Sequence, residues 1–221
     1  DLHKSSHFFP TRRSSDLLAA VATVVRWIYR RNDLLLAQSE AFVEPVARMA
    51  GGTPVVYHPN PGELAFSAQP SDAPPALVLD PGFNVVFAGN LGTVQALDTV
   101  VAAAGLLRDV PDIRFVIVGS GSRGDWLADE VKRRGLGNVQ LAGRFPPQAM
   151  PGILAQASAL LVTLARDPIL AQTVPSKVQA YLAAARPIVA ALDGEGARVV
   201  EDAGAGVACP AEDAAALAAA V

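Results

Sequence analysis

Residues 83–127 read FNVVFAGNLGTVQALDTVVAAAGLLRDVPDIRFVIVGSGSRGDWL, and this stretch decides the fold. Two near-continuous apolar runs, FNVVFAG at 83–89 and RFVIVG at 114–119, have the character of strands buried on both faces. The segment 94–108 between them suits a helix. Strand, helix and strand joined by short connections imply right-handed crossovers and a parallel sheet. The same beat continues: strands are expected at 84–88, 114–118, 138–141, 159–163, 187–191 and 206–208, and helices at 94–108, 123–135, 147–156, 175–184, 195–203 and 212–220. The expectation is an α/β chain with a doubly wound parallel sheet, which binds ligands at the carboxyl ends of its strands. Function is therefore sought in the strand-to-helix loops.

Upstream the pattern belongs to another body. Leu18 to Arg31 suits a helix, Leu34 to Ala37 a short strand, and Ser39 a cap for a helix that runs to Ala50 and stops at Gly51-Gly52. Val55 to Tyr57 is a further strand, ended by Pro59-Asn60-Pro61. Residues 68–81 are rich in Pro, Ala, Ser and Asp, the composition of a linker. Residues 18–60 thus read as the tail of one domain, 61–81 as a linker, and 82–221 as a second domain truncated at its end. Residues 1–17, DLHKSSHFFPTRRSSDL, show neither strand nor helix period and resemble the translation of a sequencing adapter. They are set aside as foreign, so His3 and His7 carry no ligand role.

Composition narrows the function classes. With 221 residues and 51% hydrophobic content the chain can bury a sizeable core. Eighteen basic against 21 acidic residues leave a formal charge of −3, too little positive field to hold nucleic acid. A single cysteine, Cys209, excludes a disulfide scaffold and a thiolate metal cluster, and His58 has no partner at ligand spacing. The longest apolar stretch, Leu17 to Val25, is broken by Thr23 and falls short of the roughly 20 residues of a membrane span. A soluble, cytoplasmic α/β-type chain is the expectation.

The loops differ in what they offer. Gly89-Asn90-Leu91-Gly92 and Gly119-Ser120-Gly121-Ser122 either let backbone approach a phosphate or simply form tight turns. Neither completes a dinucleotide fingerprint or a Walker loop. Gly143-Arg144-Phe145-Pro146 is an ordinary strand exit or the border of a flat base. The longest connection, 166–177, ends in Thr173-Val174-Pro175-Ser176-Lys177, with Thr173 expected as the N-cap of the next helix. Lys177 then stands in the first turn, where the helix dipole disfavours a cation by a few tenths to about 1 kcal/mol unless an anion joins it. It is one of three lysines beside fifteen arginines. In Asp193-Gly194-Glu195-Gly196, Glu195 is either a capping carboxylate or a partner for sugar hydroxyls.

Taken in order, FAGNLGTVQALDTVVAAAGLL, FVIVGSGSRGDWL, NVQLAGRFPPQAMPGILAQASALLVTL and TVPSKVQAYLAAARPIVAALDGEGARVVEDAGAGVACP resemble the C-terminal domain of family 4 GT-B glycosyltransferases. The likeness is greatest to a subgroup that builds amino-sugar-containing O-antigen and capsule chains, and IYRRNDLLLAQSEAF resembles the end of the family's N-terminal domain.

That resemblance implies two Rossmann-like domains, the C-terminal one binding a nucleotide-sugar donor and the N-terminal one the acceptor. It implies a retaining transfer without metal or cofactor, from an NDP-sugar (UDP foremost) to a lipid-linked or oligosaccharide acceptor, with room for peripheral membrane association through the N-terminal domain. Gly89 and Gly92 would approach the diphosphate, with Asn90, Gly119 and Gly121 beside them. Arg144 and Phe145 would border the base. Lys177 would bind phosphate, supported by Thr173 and Ser176. The family's paired glutamates fall at Gln172 and Ala180, neither a carboxylate, and Ala185 replaces its usual glycine. Gln179 and Glu195 are the residues left to supply polar contacts. The catalytic candidates are Lys177 and Glu195. Two other readings stay open, a nucleotide-sugar epimerase of GT-B fold and a non-catalytic nucleotide-sugar-binding domain.

Overall fold

A computed structural model describes residues 12–62 and 76–221. The chain divides into two compact units, up to Pro59 and from Asn60 onward. In the first unit, α1 (Arg12–Tyr29) precedes a strand-helix-strand crossover of β1 (Leu35–Ala37), α2 (Glu40–Ala50) and β2 (Val55–Tyr57), the two strands pairing in parallel. Ser39 stands at the N-cap of α2 and Gly51 at its C-cap. α1 begins at Arg12, six residues before the expected Leu18. Arg, Ser and Asp carry no apolar period, yet they do not oppose a helix. The adapter reading of residues 1–17 falls largely outside the described residues.

The second unit holds six parallel strands: β3 (Phe83–Ala88), β4 (Ile113–Val118), β5 (Val139–Gly143), β6 (Ala159–Thr163), β7 (Ile188–Ala191) and β8 (Gly206–Cys209). Their spatial order is β5-β4-β3-β6-β7-β8. The chain therefore winds outward from β3 in one direction, returns to β6 beside β3, and winds outward in the other. Ligands of such sheets lie beyond the strand ends where the direction reverses, here between β3 and β6.

Strand period two explains the unbroken apolar runs. Val85, Phe87, Phe115, Ile117 and Leu161 pack on one face with α3 (Leu97–Leu106), α4 (Gly124–Arg134) and α8 (Ala214–Ala220). Val86, Val116, Val118, Leu160 and Val162 pack on the other with α5 (Met150–Leu154), α6 (Ser176–Ala183) and α7 (Glu195–Asp202). Both faces are covered, so neither position of the alternation is free to be polar.

Three expected elements are adjusted locally. The expected helix 94–108 is a short 3-10 turn, Thr93–Gln95, and then α3, separated by Ala96 at φ 46°. The expected helix 147–156 is likewise a turn, Pro147–Ala149, followed by α5. The expected helix 175–184 starts at Ser176 with Pro175 as its N-cap, which corrects the assignment of Thr173 to that position. The Thr173 hydroxyl instead donates to Leu170 O at 2.7 Å and closes the preceding turn.

Just past α6, Ala185 has φ 51°, in the left-handed region where glycine is at ease. Ala185→Gly is expected to stabilise the chain by about 0.5–1 kcal/mol, the relief of an alanine's left-handed strain less glycine's greater unfolded-state freedom. Urea melts of the two proteins check this, and a lower midpoint for the glycine variant would contradict it.

Candidate functional site

At the carboxyl end of β3 the second unit has an open cavity of about 790 Å³. That is the size at which drug-sized ligands and cofactors are commonly held. Its walls come from the strand exits of β3, β4 and β5, from α5 and from α6.

Tyr181 ties these parts together. Its fully buried hydroxyl accepts from Ala88 N at 2.9 Å and donates to Ala88 O at 3.2 Å, and burial pushes its ionisation well above the ordinary range. α6 is thereby fixed to the end of β3. One turn earlier on the same face stands Lys177. Its Nζ lies 3.8 Å from the centroid of the Phe87 ring and donates to Gln95 Oε1. Its Cε occupies the space beside Gly89, where a Cβ would come within 2.6 Å of it. Burial pushes the Lys177 ammonium down to about 7. No side chain caps the N-terminus of α6, and Ser176 and Lys177 at that end both line the cavity.

The glycine-rich loops meet one another. Gly119 has φ 148°, and a Cβ there would land on Gly89 O. Gly89 N–H donates to Val118 O and Gly119 N–H to Gly143 O, both at 2.8 Å, so three strand ends are laced at three glycines. The other two glycines serve Asn90. A Cβ on Gly92 would come 2.8 Å from Asn90 Nδ2, and one on Gly121 would come 2.6 Å from Asn90 Oδ1. They leave room for the amide that lines the cavity, and do not line it themselves.

Of the residues singled out in the sequence, the structure brings Gly89, Asn90, Gly119, Arg144, Phe145, Ser176, Lys177 and Gln179 to the cavity. Gly92, Gly121, Thr173 and Glu195 are not in its lining. Glu195 pairs with Arg198 at 3.0 Å at the start of α7. Ala180 lines the cavity, whereas Gln172 turns its amide to Pro168 O at 3.1 Å. Gln179 is best oriented with its amide nitrogen donating to Pro175 O at 2.8 Å.

Sequence reading missed Phe87, Gln95, Tyr181, Met150, Asn60 and Pro61. Phe87 and Tyr181 look like core residues, and they are; only the fold shows that Tyr181 lines the cavity and that the Phe87 ring lies beneath the Lys177 ammonium. The spacing of Lys177 and Tyr181, four apart on one helix, was the one available signal. No aspartate, glutamate or histidine stands among the described residues of the lining. The chemistry on offer is a half-buried ammonium, an exposed guanidinium, neutral amides, a helix start and apolar walls. That set suits an anionic ligand with a flat apolar part.

The known proteins that this chain is similar to are glycosyltransferases. The family model described as glycosyl transferases group 1 matches residues 82–221. WcaI of Escherichia coli (strain K12), named for glycosyl transfer in colanic acid biosynthesis, is 36% identical over 138 residues, which cover 58% of this chain and 33% of that protein. WbjE of Pseudomonas aeruginosa, named as a glycosyltransferase, is 31% identical over 138 residues, 60% of this chain and 33% of that protein. The chain spans about a third of the length of these relatives. Among solved structures, Anabaena Alr3699/HepE in complex with UDP has a TM-score of 0.72 at 18% identity, covering 96% of this chain and 58% of that one. At that identity the likeness is one of fold.

Proposed function

The chain belongs to the group 1 glycosyl transferases, and from that premise we propose that its second unit is the donor-binding half of a retaining glycosyltransferase. The donor is a UDP-sugar carrying a hexose or N-acetylamino sugar. The acceptor is lipid-linked or an oligosaccharide in surface polysaccharide synthesis, at the cytoplasmic face of the membrane. The observation that carries the reading is Lys177, a desolvated ammonium at an uncapped helix start, facing a cavity whose described lining holds no carboxylate. A diphosphate supplies the missing negative charge.

Each part of the donor then has a place. The diphosphate lies along Gly89, Asn90 and Gly119 toward Ser176 and Lys177. The base lies against Phe145 beside Arg144. Gln179 meets polar groups of the ribose or sugar from α6. Transfer rests on holding the donor in place and stabilising negative charge as it gathers on the leaving diphosphate, with no metal taking part. Support for the donor comes from the UDP complex of a protein of the same fold. The epimerase reading asks for carboxylates and a histidine set for acid–base work, and the cavity supplies amides and a cation in their place.

Calorimetry with UDP and a sugar-release assay with UDP-glucose and UDP-N-acetylglucosamine test the proposal on this chain. One UDP is expected per chain, with no steady turnover, because the chain spans about a third of the length of its glycosyltransferase relatives. Absence of UDP binding would remove the donor-site reading. Continuous multiple turnover by this chain alone would overturn the division of labour.

A further inference from the structure

We infer that Gln95 is a positioning residue of the donor site: its neutral side-chain oxygen aims the Lys177 ammonium along the glycine wall while leaving its charge for the ligand. The inference rests on the reading of Lys177 as a phosphate-binding group. Gln95 is not in the cavity lining; it reaches Lys177 from behind.

Gln95 is itself held firmly. It ends the turn Thr93–Gln95, and its backbone carbonyl accepts from Thr163 Oγ1 at 2.5 Å, at the end of β6. The neighbouring carbonyl of Val94 accepts from Ala165 N at 2.8 Å. The turn is thus pinned to the strand on the other side of the reversal point. Ala96 follows at φ 46°, a conformation that leads directly into α3. A side chain on so fixed a turn can hold an ammonium in one place.

The chemical type matters as much as the position. An oxygen acceptor and an aromatic face both favour the ammonium, and neither cancels its charge. A carboxylate in place of Gln95 would pair with Lys177 and compete with a phosphate. The surroundings are otherwise short of carboxylates among the described residues. β3, the connection 89–96 and α6 carry one other titratable group, Tyr181, whose hydroxyl is engaged by Ala88. Asp98 at the start of α3 pairs with Arg123 at 2.6 Å. On the connection leading to α6, Asp167 accepts from the amides of Ile169 and Leu170, and Arg166 donates to Ala211 O and faces Asp193 at 3.6 Å. Arg144 is the other cation in the cavity wall.

The consequence is a pH signature. With Lys177 at about 7 in the empty site, an arriving phosphate favours its charged form, so above pH 7 binding takes up a proton. UDP affinity should fall as pH climbs from 7 to 9. Removing the acceptor removes support for the charged form and moves the fall to lower pH. Installing a carboxylate holds the lysine charged and flattens the profile.

UDP is titrated calorimetrically into the unaltered chain, Gln95→Leu, Gln95→Glu and Lys177→Ala between pH 6.5 and 9. Gln95→Leu is expected to bind about 3- to 10-fold more weakly at pH 7, the worth of one hydrogen bond, with its fall beginning at lower pH. The isosteric Gln95→Glu is expected to bind about tenfold or more weakly at pH 7 and to stay level to pH 9. Native affinity and an unshifted profile in both Gln95 variants, with binding lost in Lys177→Ala, would overturn the role of Gln95 alone. Unchanged binding in Lys177→Ala would overturn the donor-site reading beneath it.

Discussion

Lys177→Ala is expected to weaken UDP binding by roughly 10- to 150-fold, the equivalent of a charge-assisted hydrogen bond of about 1.5–3 kcal/mol. Stability should not fall with it. The side chain is only partly buried, its stem runs along the cavity wall, and its charge is held where burial disfavours it. Folded, the ammonium titrates at about 7 against an ordinary 10.5. Between those values the unfolded chain keeps a proton that the folded chain has released. This group's share of stability therefore rises with pH across that window, and the alanine variant lacks the rise. Urea midpoints at pH 7 and 9.5 read this directly. Lys177→Arg should restore charge and recover little affinity, since a planar fork does not take the place of a compact ammonium between Phe87 and Gly89. Unchanged UDP affinity in the alanine variant would make Lys177 an ordinary half-buried lysine.

The fold was legible because its strands are buried on both faces. Val85 to Ala88 and Phe115 to Val118 could not alternate with polar residues, so the chain announces them as apolar runs. The glycines between strand and helix marked the right end of the sheet. What the sequence does not display is which glycine faces the ligand and which makes room. Gly89 and Gly119 border the cavity, whereas Gly92 and Gly121 seat Asn90, and all four look alike in the chain. Lys177 stood out from its field at a helix start and its rarity. Gln95 and Tyr181 could not stand out, because their part depends on pairings 82 and 93 residues away. Glu195 is the opposite case: its partner Arg198 stands one turn on, within reach of local spacing. Short-range arithmetic finds groups that conflict with their own helix, and it is blind to partners supplied by another strand's exit.

Gly119→Ala should cost the chain about 2–6 kcal/mol, the sum of a side chain forced into a glycine-only backbone region and a clash that the surroundings must absorb. At φ 148° the new Cβ would fall on Gly89 O, a backbone atom that cannot swing aside as a flexible side chain would. Gly89 is tied to Val118 and Gly119 to Gly143, so relief at one strand end strains the next. The melting temperature is expected to drop on the order of 10 °C, given about 2–4 °C per kcal/mol for a chain of this size. UDP binding should weaken as well, since the displaced carbonyl belongs to the wall beside Lys177. Gly137→Ala is the matched control: its Cβ would meet nothing within 4 Å, and it lies outside the cavity lining. That variant should stay within about 0.5 kcal/mol of the unaltered chain and keep its UDP affinity. If Gly119→Ala melted within a degree or two of Gly137→Ala, the two strand ends would not be in the close approach on which the shape of the cavity wall depends.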